Sequence, residues 1–228
     1  MLHVFYLKID ELDSLIKQCY PGNLAGLAQE YKLPAKSLHK ILSYHQRIDQ
    51  LRSLASEIFK YKVLAKLLKL TPVHIQIEED KYYRPYLNIS EPRNIDFNLS
   101  HSGNYVVMVV SNMSRVGIDI EYIEHTIDYM HLKPITFSEK EQVLIQSSDD
   151  FFNLWTKKES LIKAAGKGFL DDMHKNTKLN YDTQQTYSYN KVNYQFQAID
   201  LDNLYKIYIC YVINTHVQEI SIKKIDLD

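Results

Sequence analysis

The chain has 228 residues, 45% of them apolar and 24% charged, enough to bury a core in one large domain or two small ones. Its formal net charge of −1 supplies no basic field to draw it to nucleic acid or a membrane surface. No run approaches the ~20 apolar residues needed to cross a bilayer. Cys19 and Cys210 are far apart, which suits neither a disulfide framework nor a zinc site. The opening "MLHVFYLKID" has no basic region followed by a long apolar core, so no secretory signal is expected. The plain expectation is a cytoplasmic protein.

In chain order, "LHVFYLKI" mixes aromatic and branched residues and predicts a strand. Leu51, Leu54, Ala55, Ile58, Phe59 and Leu64 recur at helical spacing, predicting an amphipathic helix over Asp49–Leu70 that Thr71-Pro72 ends. "EEDKYYRPYLN" is a turn-rich connection. "YVVMVV", Tyr105–Val110, is the mark of a strand covered on both faces. "VGIDIEYI" follows after a turn through Ser111–Ser114, so a hairpin of the two is expected. "FSEKE" supplies a capping box between Ser138 and Glu141. In "DDFFNLWTKKESLIKAAGKGF", Phe151, Leu154, Trp155, Leu161, Ile162 and Ala165 fall on one helical arc, with Gly166 as the stop. From Lys178 the tail alternates apolar and polar residues as strands do. The pattern is α+β without regular βαβ alternation.

Three places could carry chemistry. Asp119 and Glu121 stand two apart in a strand-like segment, which puts both carboxylates on one face. If that face is buried their repulsion must be offset, and a hard divalent cation such as Mg²⁺ would do so; if it is exposed, they are ordinary solvated charges. Lys158 lies in the middle of the apolar helical arc. Its stem either snorkels to an edge or reaches an anion in a cleft. Glu159 and Lys163, four apart, are either an ordinary ion pair or a cation ligand and a phosphate contact. Ser100-His101 is not read as a hydrolytic pair, because there is no G-x-S-x-G elbow. "SHSG" suits a turn before a strand, with hydroxyls and an imidazole offered to an oxyanion. "GKGF" is not a Walker loop.

Taken together, "FNLSHSGNYVV", "VGIDIE" and "FFNLWTKKESLIKAAGKGF" resemble the surfactin-synthetase type of 4′-phosphopantetheinyl transferase over about Asp96 to Phe169. The resemblance implies an α+β fold of two similar halves related by a pseudo-twofold, residues 1–112 and 113–228. Each half is an antiparallel sheet packed with a long helix, and coenzyme A lies between them. It implies Mg²⁺-dependent transfer of phosphopantetheine to a serine of an apo acyl or peptidyl carrier protein, by a monomer, with 3′,5′-ADP released. By motif, Asp119, Glu121 and Glu159 look like the metal ligands. Glu159 is also a candidate base, and Lys158 and Lys163 look like diphosphate contacts. Ser100 and His101 are similar to residues that hold a coenzyme A phosphate. Lys40, Arg52 and Ser53 fall in the matching N-terminal places. Where the family has Gly-Lys-Pro this chain has Tyr83-Arg84-Pro85, so Arg84 would stand in for the lysine. The competing readings are another Mg²⁺-dependent phosphoryl-transfer or hydrolytic enzyme, and a non-catalytic module that binds coenzyme A or a carrier.

Overall fold

The computed structural model describes residues 1–21, 23–88, 95–166, 186–213 and 219–226. The predicted first strand is β1, Leu2–Lys8. Three helices that the sequence reading did not place follow it: α1 (Ile9–Cys19), α2 (Leu24–Glu30) and α3 (Ala35–Ser43). The predicted long helix is α4, Arg47–Leu68, which Lys69 closes in a left-handed conformation with its N–H on the Ala65 carbonyl.

A small hairpin of β2 (Ile77–Glu79) and β3 (Pro85–Leu87) leads to β4 (Asp96–Ser102), β5 (Tyr105–Ser111) and β6 (Val116–Tyr122). Next come α5 (Tyr129–Thr136), α6 (Glu139–Gln142) and α7 (Ser148–Ala165). The last strands are β7 (Thr186–Tyr189), β8 (Val192–Ala198), β9 (Tyr205–Val212) and β10 (Ile220–Lys224). The tail expected to begin at Lys178 falls outside the described residues as far as 185, as do residues 167–169 of "GKGF".

The strands form two four-stranded sheets, in the orders β10-β1-β5-β4 and β6-β9-β8-β7. The second is antiparallel throughout, whereas in the first β10 runs parallel to β1. The first sheet is therefore mixed, and one of its strands comes from the end of the chain.

The expected β5–β6 hairpin does not form. Val109 of β5 lies between Val4 of β1 and Asn98 of β4, so both edges of β5 are taken. β6 pairs with β9 in the other sheet, Asp119 opposite Tyr208. The real hairpin is β4–β5, closed by Gly103 at φ +53°, a conformation that costs glycine little. Ser100-His101-Ser102 thus lies in a strand rather than in a turn.

β5 is covered on both faces, as its composition predicts. Val106, Met108 and Val110 join the core beneath α4, and Tyr105, Val107 and Val109 join an apolar layer shared with Val116, Ile118 and Ile120 of β6 and Ile207 and Ile209 of β9. α7 covers the far side of β6 and β9. A Cβ on Gly117 would run into the Ser160 carbonyl oxygen and the Ala164 nitrogen, so only glycine admits the helix this close to β6.

The two sheets meet along β4 and β6 without a backbone ladder. Side chains on alternate residues of β4 take its place. Asp96 Oδ2 accepts the Val116 N–H at 2.8 Å, Asn98 Oδ1 the Ile118 N–H at 2.9 Å, and Ser102 Oγ the Tyr122 N–H at 3.0 Å. This accounts for the polar alternation in "DFNLSHS" and satisfies donors that would otherwise be stranded in the seam.

Candidate active site

The period of two sends Val116, Ile118 and Ile120 into the layer between the sheets. Gly117, Asp119 and Glu121 face α7. Three consecutive turns of α7 bring up Trp155, Glu159 and Lys163 on the facing side.

Asp119 is only 3% exposed. Its Oδ1 accepts hydrogen bonds from Ser100 Oγ at 2.7 Å and from Lys163 Nζ at 2.6 Å, and the same ammonium donates to Ser100 Oγ at 2.9 Å. Its Oδ2 is buried with no hydrogen-bond partner. Glu121 Oε1 accepts from Trp155 Nε1 at 3.1 Å and Oε2 from Ser102 Oγ at 3.0 Å. Ser100 and Ser102 of β4 therefore each donate a hydroxyl to Asp119 and Glu121 of β6, two residues apart on both strands.

Glu159 is buried beside them, and its carboxyl is pushed up to about 7, first by burial and then by the charge of Asp119. Glu121 is pushed up to about 7 by the same two causes, opposed by its hydrogen bonds to Trp155 and Ser102. The solvated-charge reading of D-x-E fails here: Asp119 and Glu159 are buried, Glu121 is half-buried beside them, and Lys163 offsets their charge.

As the side chains stand, the described residues contain no group of three acidic, histidine or cysteine side chains spaced to hold a metal ion. The chemistry of the donor set nevertheless suits a hard cation. It is all oxygen, it carries more negative than positive charge, and Asp119 Oδ2 is a buried acceptor with its capacity unused.

Next to this cluster opens a cavity of about 730 Å³, within the size range of ligand clefts. Its walls bring together most of the residues expected to hold coenzyme A: Lys40, Arg52 and Ser53 from α3 and α4, Ser100 and His101 from β4, and Lys163 from α7. Desolvation at the cavity wall, together with Lys163, Arg52 and Lys40, lowers the pKa of His101 below the usual imidazole value. Arg52 is braced by Asp49 Oδ1 at 3.2 Å and by the Gly103 carbonyl at 3.4 Å.

Two expected contacts lie elsewhere. Lys158 is fully buried and bonds Glu141 Oε2 at 3.0 Å, with Phe137 beneath its ammonium. A desolvated ammonium needs a counter-charge, and Glu141 already holds the predicted capping box by accepting from the Ser138 N–H and hydroxyl. Arg84 is also buried. Its guanidinium donates to the Lys163 carbonyl, to Asp96 Oδ2 at 2.7 Å and to the Val116 carbonyl at 2.8 Å, so it joins the β2–β3 turn to β4, β6 and α7 instead of facing the cavity.

Ser102 and Trp155 escaped the sequence reading as supports of Glu121. The matched spacing of S-x-S and D-x-E was the available signal. Lys36 and Lys60, which also line the cavity, carried no signal beyond their charge.

Comparison with known proteins gives a consistent picture. Residues 27–113 match the family model described as 4′-phosphopantetheinyl transferase, N-terminal, and residues 115–210 match that of the 4′-phosphopantetheinyl transferase superfamily. The chain is 32% identical over 175 residues to 4′-phosphopantetheinyl transferase gsp of Aneurinibacillus migulanus, covering 74% of this chain and 67% of that protein. It is 33% identical over 138 residues to a 4′-phosphopantetheinyl transferase of Bacillus subtilis, covering 59% and 60% of the two chains. It is 29% identical over 170 residues to the L-aminoadipate-semialdehyde dehydrogenase-phosphopantetheinyl transferase of Schizosaccharomyces pombe, covering 67% and 66%. No helix among the described residues is long and apolar enough to cross a membrane.

Proposed function

Because the chain belongs to the 4′-phosphopantetheinyl transferase superfamily, we propose that it works as an enzyme of the surfactin-synthetase type. It moves the phosphopantetheine arm of coenzyme A to a serine hydroxyl of an apo carrier protein and releases 3′,5′-ADP. The observation that carries this reading is the convergence of Asp119, Glu121, Glu159 and Lys163 beside a cavity into which Lys163, Lys40, Arg52 and His101 all face. A diphosphate ester needs such a surface.

Lys40, Arg52, Ser53, Ser100 and His101 bind the nucleotide end through its phosphates. Lys163 lies between the cavity and the carboxylates, where it neutralises charge growing on the leaving phosphate. A carboxylate that titrates near 7 is well matched to accept a proton from the incoming serine at neutral pH, and Glu159 fills that role. Asp119, Glu121 and Glu159 would hold Mg²⁺, which supplies Lewis-acid neutralisation of the diphosphate. In this reading the half 1–112 lines most of the cleft and the half 113–228 adds Lys163 beside the carboxylates, with β10 returned to the first sheet. A cytoplasmic monomer serving a fatty-acid, peptide-synthetase or polyketide carrier completes the proposal; nucleic acid and membrane have no part in it.

The test is to incubate the protein with coenzyme A, Mg²⁺ and a panel of apo carriers, and weigh the carriers. A gain of one phosphopantetheine arm is expected. Release of 3′,5′-ADP with no carrier gaining mass would favour a hydrolase, and tight coenzyme A binding without turnover a binding module; either would sink the transferase.

A further inference from the structure

Among the described residues, the β2–β3 hairpin carries the one place where a bulky aromatic residue occupies left-handed backbone beside the cavity. Tyr83 has φ +62°, a region that glycine enters freely and a tyrosine seldom does. Its side chain is also 78% exposed, so no packing interaction accounts for an aromatic residue there. Such strain persists only where the surroundings over-determine it, and it gathers at ligand clamps.

The surroundings of Tyr83 do over-determine it. Asp80 Oδ1 accepts the N–H groups of Tyr82 at 2.8 Å and Arg84 at 3.1 Å. Asp80 also exchanges backbone bonds with the turn, its N–H donating to the Arg84 carbonyl and its carbonyl accepting from Tyr83, each at 2.9 Å. Arg84 is itself fixed by the acceptors on β4, β6 and α7. The backbone on both sides is rigid, and the ring stands at the wall of the cavity.

The position along the ligand rests on the cavity lining together with Arg84. Its guanidinium bonds to the carbonyl of Lys163, the residue whose ammonium lies at the diphosphate end. Tyr83 and Lys163 both line the cavity, so the ring and that ammonium share one cleft. In a nucleotide the base is joined to its diphosphate by one ribose, so it can reach this wall while the arm runs toward Glu159. We propose that Tyr83 is a specificity residue that stacks its ring on the purine of coenzyme A, in place of the glycine of the family's Gly-Lys-Pro. This rests on reading the cavity as the coenzyme A cleft.

Calorimetric titration with two halves of the ligand tests it. Tyr83→Gly and Tyr83→Asn remove the ring and keep residues that tolerate the left-handed backbone, while Tyr83→Phe keeps the ring. The first two should weaken 3′,5′-ADP binding by about 5- to 150-fold, the range for one base on one aromatic ring. Binding of 4′-phosphopantetheine, which has no base, should be unchanged, and Tyr83→Phe should bind both like the parent. Unchanged 3′,5′-ADP affinity in the ringless variants overturns the inference. So does an equal loss for both ligands, which would point to a disturbed turn. Failure of the parent protein to bind coenzyme A at all would instead overturn the proposed function.

Discussion

Lys158 and Lys163 stand five residues apart on α7, and the protein uses them in opposite ways. At 3.6 residues per turn their side chains leave the axis about 140° apart. Lys158 is 0% exposed and sealed against Glu141, whereas the Lys163 side chain is 27% exposed, held by Asp119 and open to the cavity. One ammonium joins a helix to its own domain; the other is left able to exchange its partner for a ligand. Charge type and motif membership alone did not separate them, and the position of the counter-ion did.

The largest effect expected on stability comes from breaking the sealed pair. Lys158→Ala should destabilise the fold by about 3–5 kcal/mol, because Glu141 would remain buried without its counter-charge; denaturant unfolding measures it. Lys163→Ala should instead act first on chemistry, lowering the transfer rate about 10²- to 10³-fold as for other lost charge-stabilising contacts. Equal stability losses in the two variants would erase the contrast between the two faces.

A titration sharpens the comparison at the Lys163 face. Glu121 and Glu159 have folded pKa values of about 7 against an ordinary value of 4.5, so folding favours their protonated forms. Their contribution is complete below the ordinary value and is lost as pH rises through 7. The melting temperature of the metal-free protein should fall across that interval, and Mg²⁺ should raise it more at pH 8 than at pH 5.5. A metal-independent, flat profile would contradict the buried cluster.

Gly117→Ala should cost about 1–3 kcal/mol through overpacking between β6 and α7, seen as a lower unfolding midpoint. The smallest effect belongs to Ser102→Ala. It removes one of the two hydrogen bonds that hold Glu121 and the acceptor of the exposed Tyr122 N–H, for about 0.5–1.5 kcal/mol, and should weaken Mg²⁺ binding measured by calorimetry more than it weakens nucleotide binding.

Much of this arrangement was legible in the residues, and the failures share one cause. D-x-E on a strand and the arc of α7 are periodic signals that hold whatever surrounds them. The covered strand β5, the capping box at Ser138 and the stop at Gly166 are equally local. The hairpin expectation failed because strands adjacent in sequence usually pair, and nothing local reveals that β1 and β4 already occupy both edges of β5. Lys158 was ambiguous because its partner sits on α6, and the same Glu141 was already explained as a cap. Arg84 looked like a phosphate holder because its four elements come together only in the folded chain.

The seam between β4 and β6 has a consequence for solubility. An open strand edge is a template on which another chain can pair. Here the edge of each sheet ends on the other, closed by Asp96, Asn98, Ser100 and Ser102. A chain whose halves part would uncover two such edges at once, together with the Asp119 face. The short polar side chains that place the carboxylates therefore also guard against self-association, and a substitution there should reveal itself as aggregation on mild heating as readily as by lost turnover.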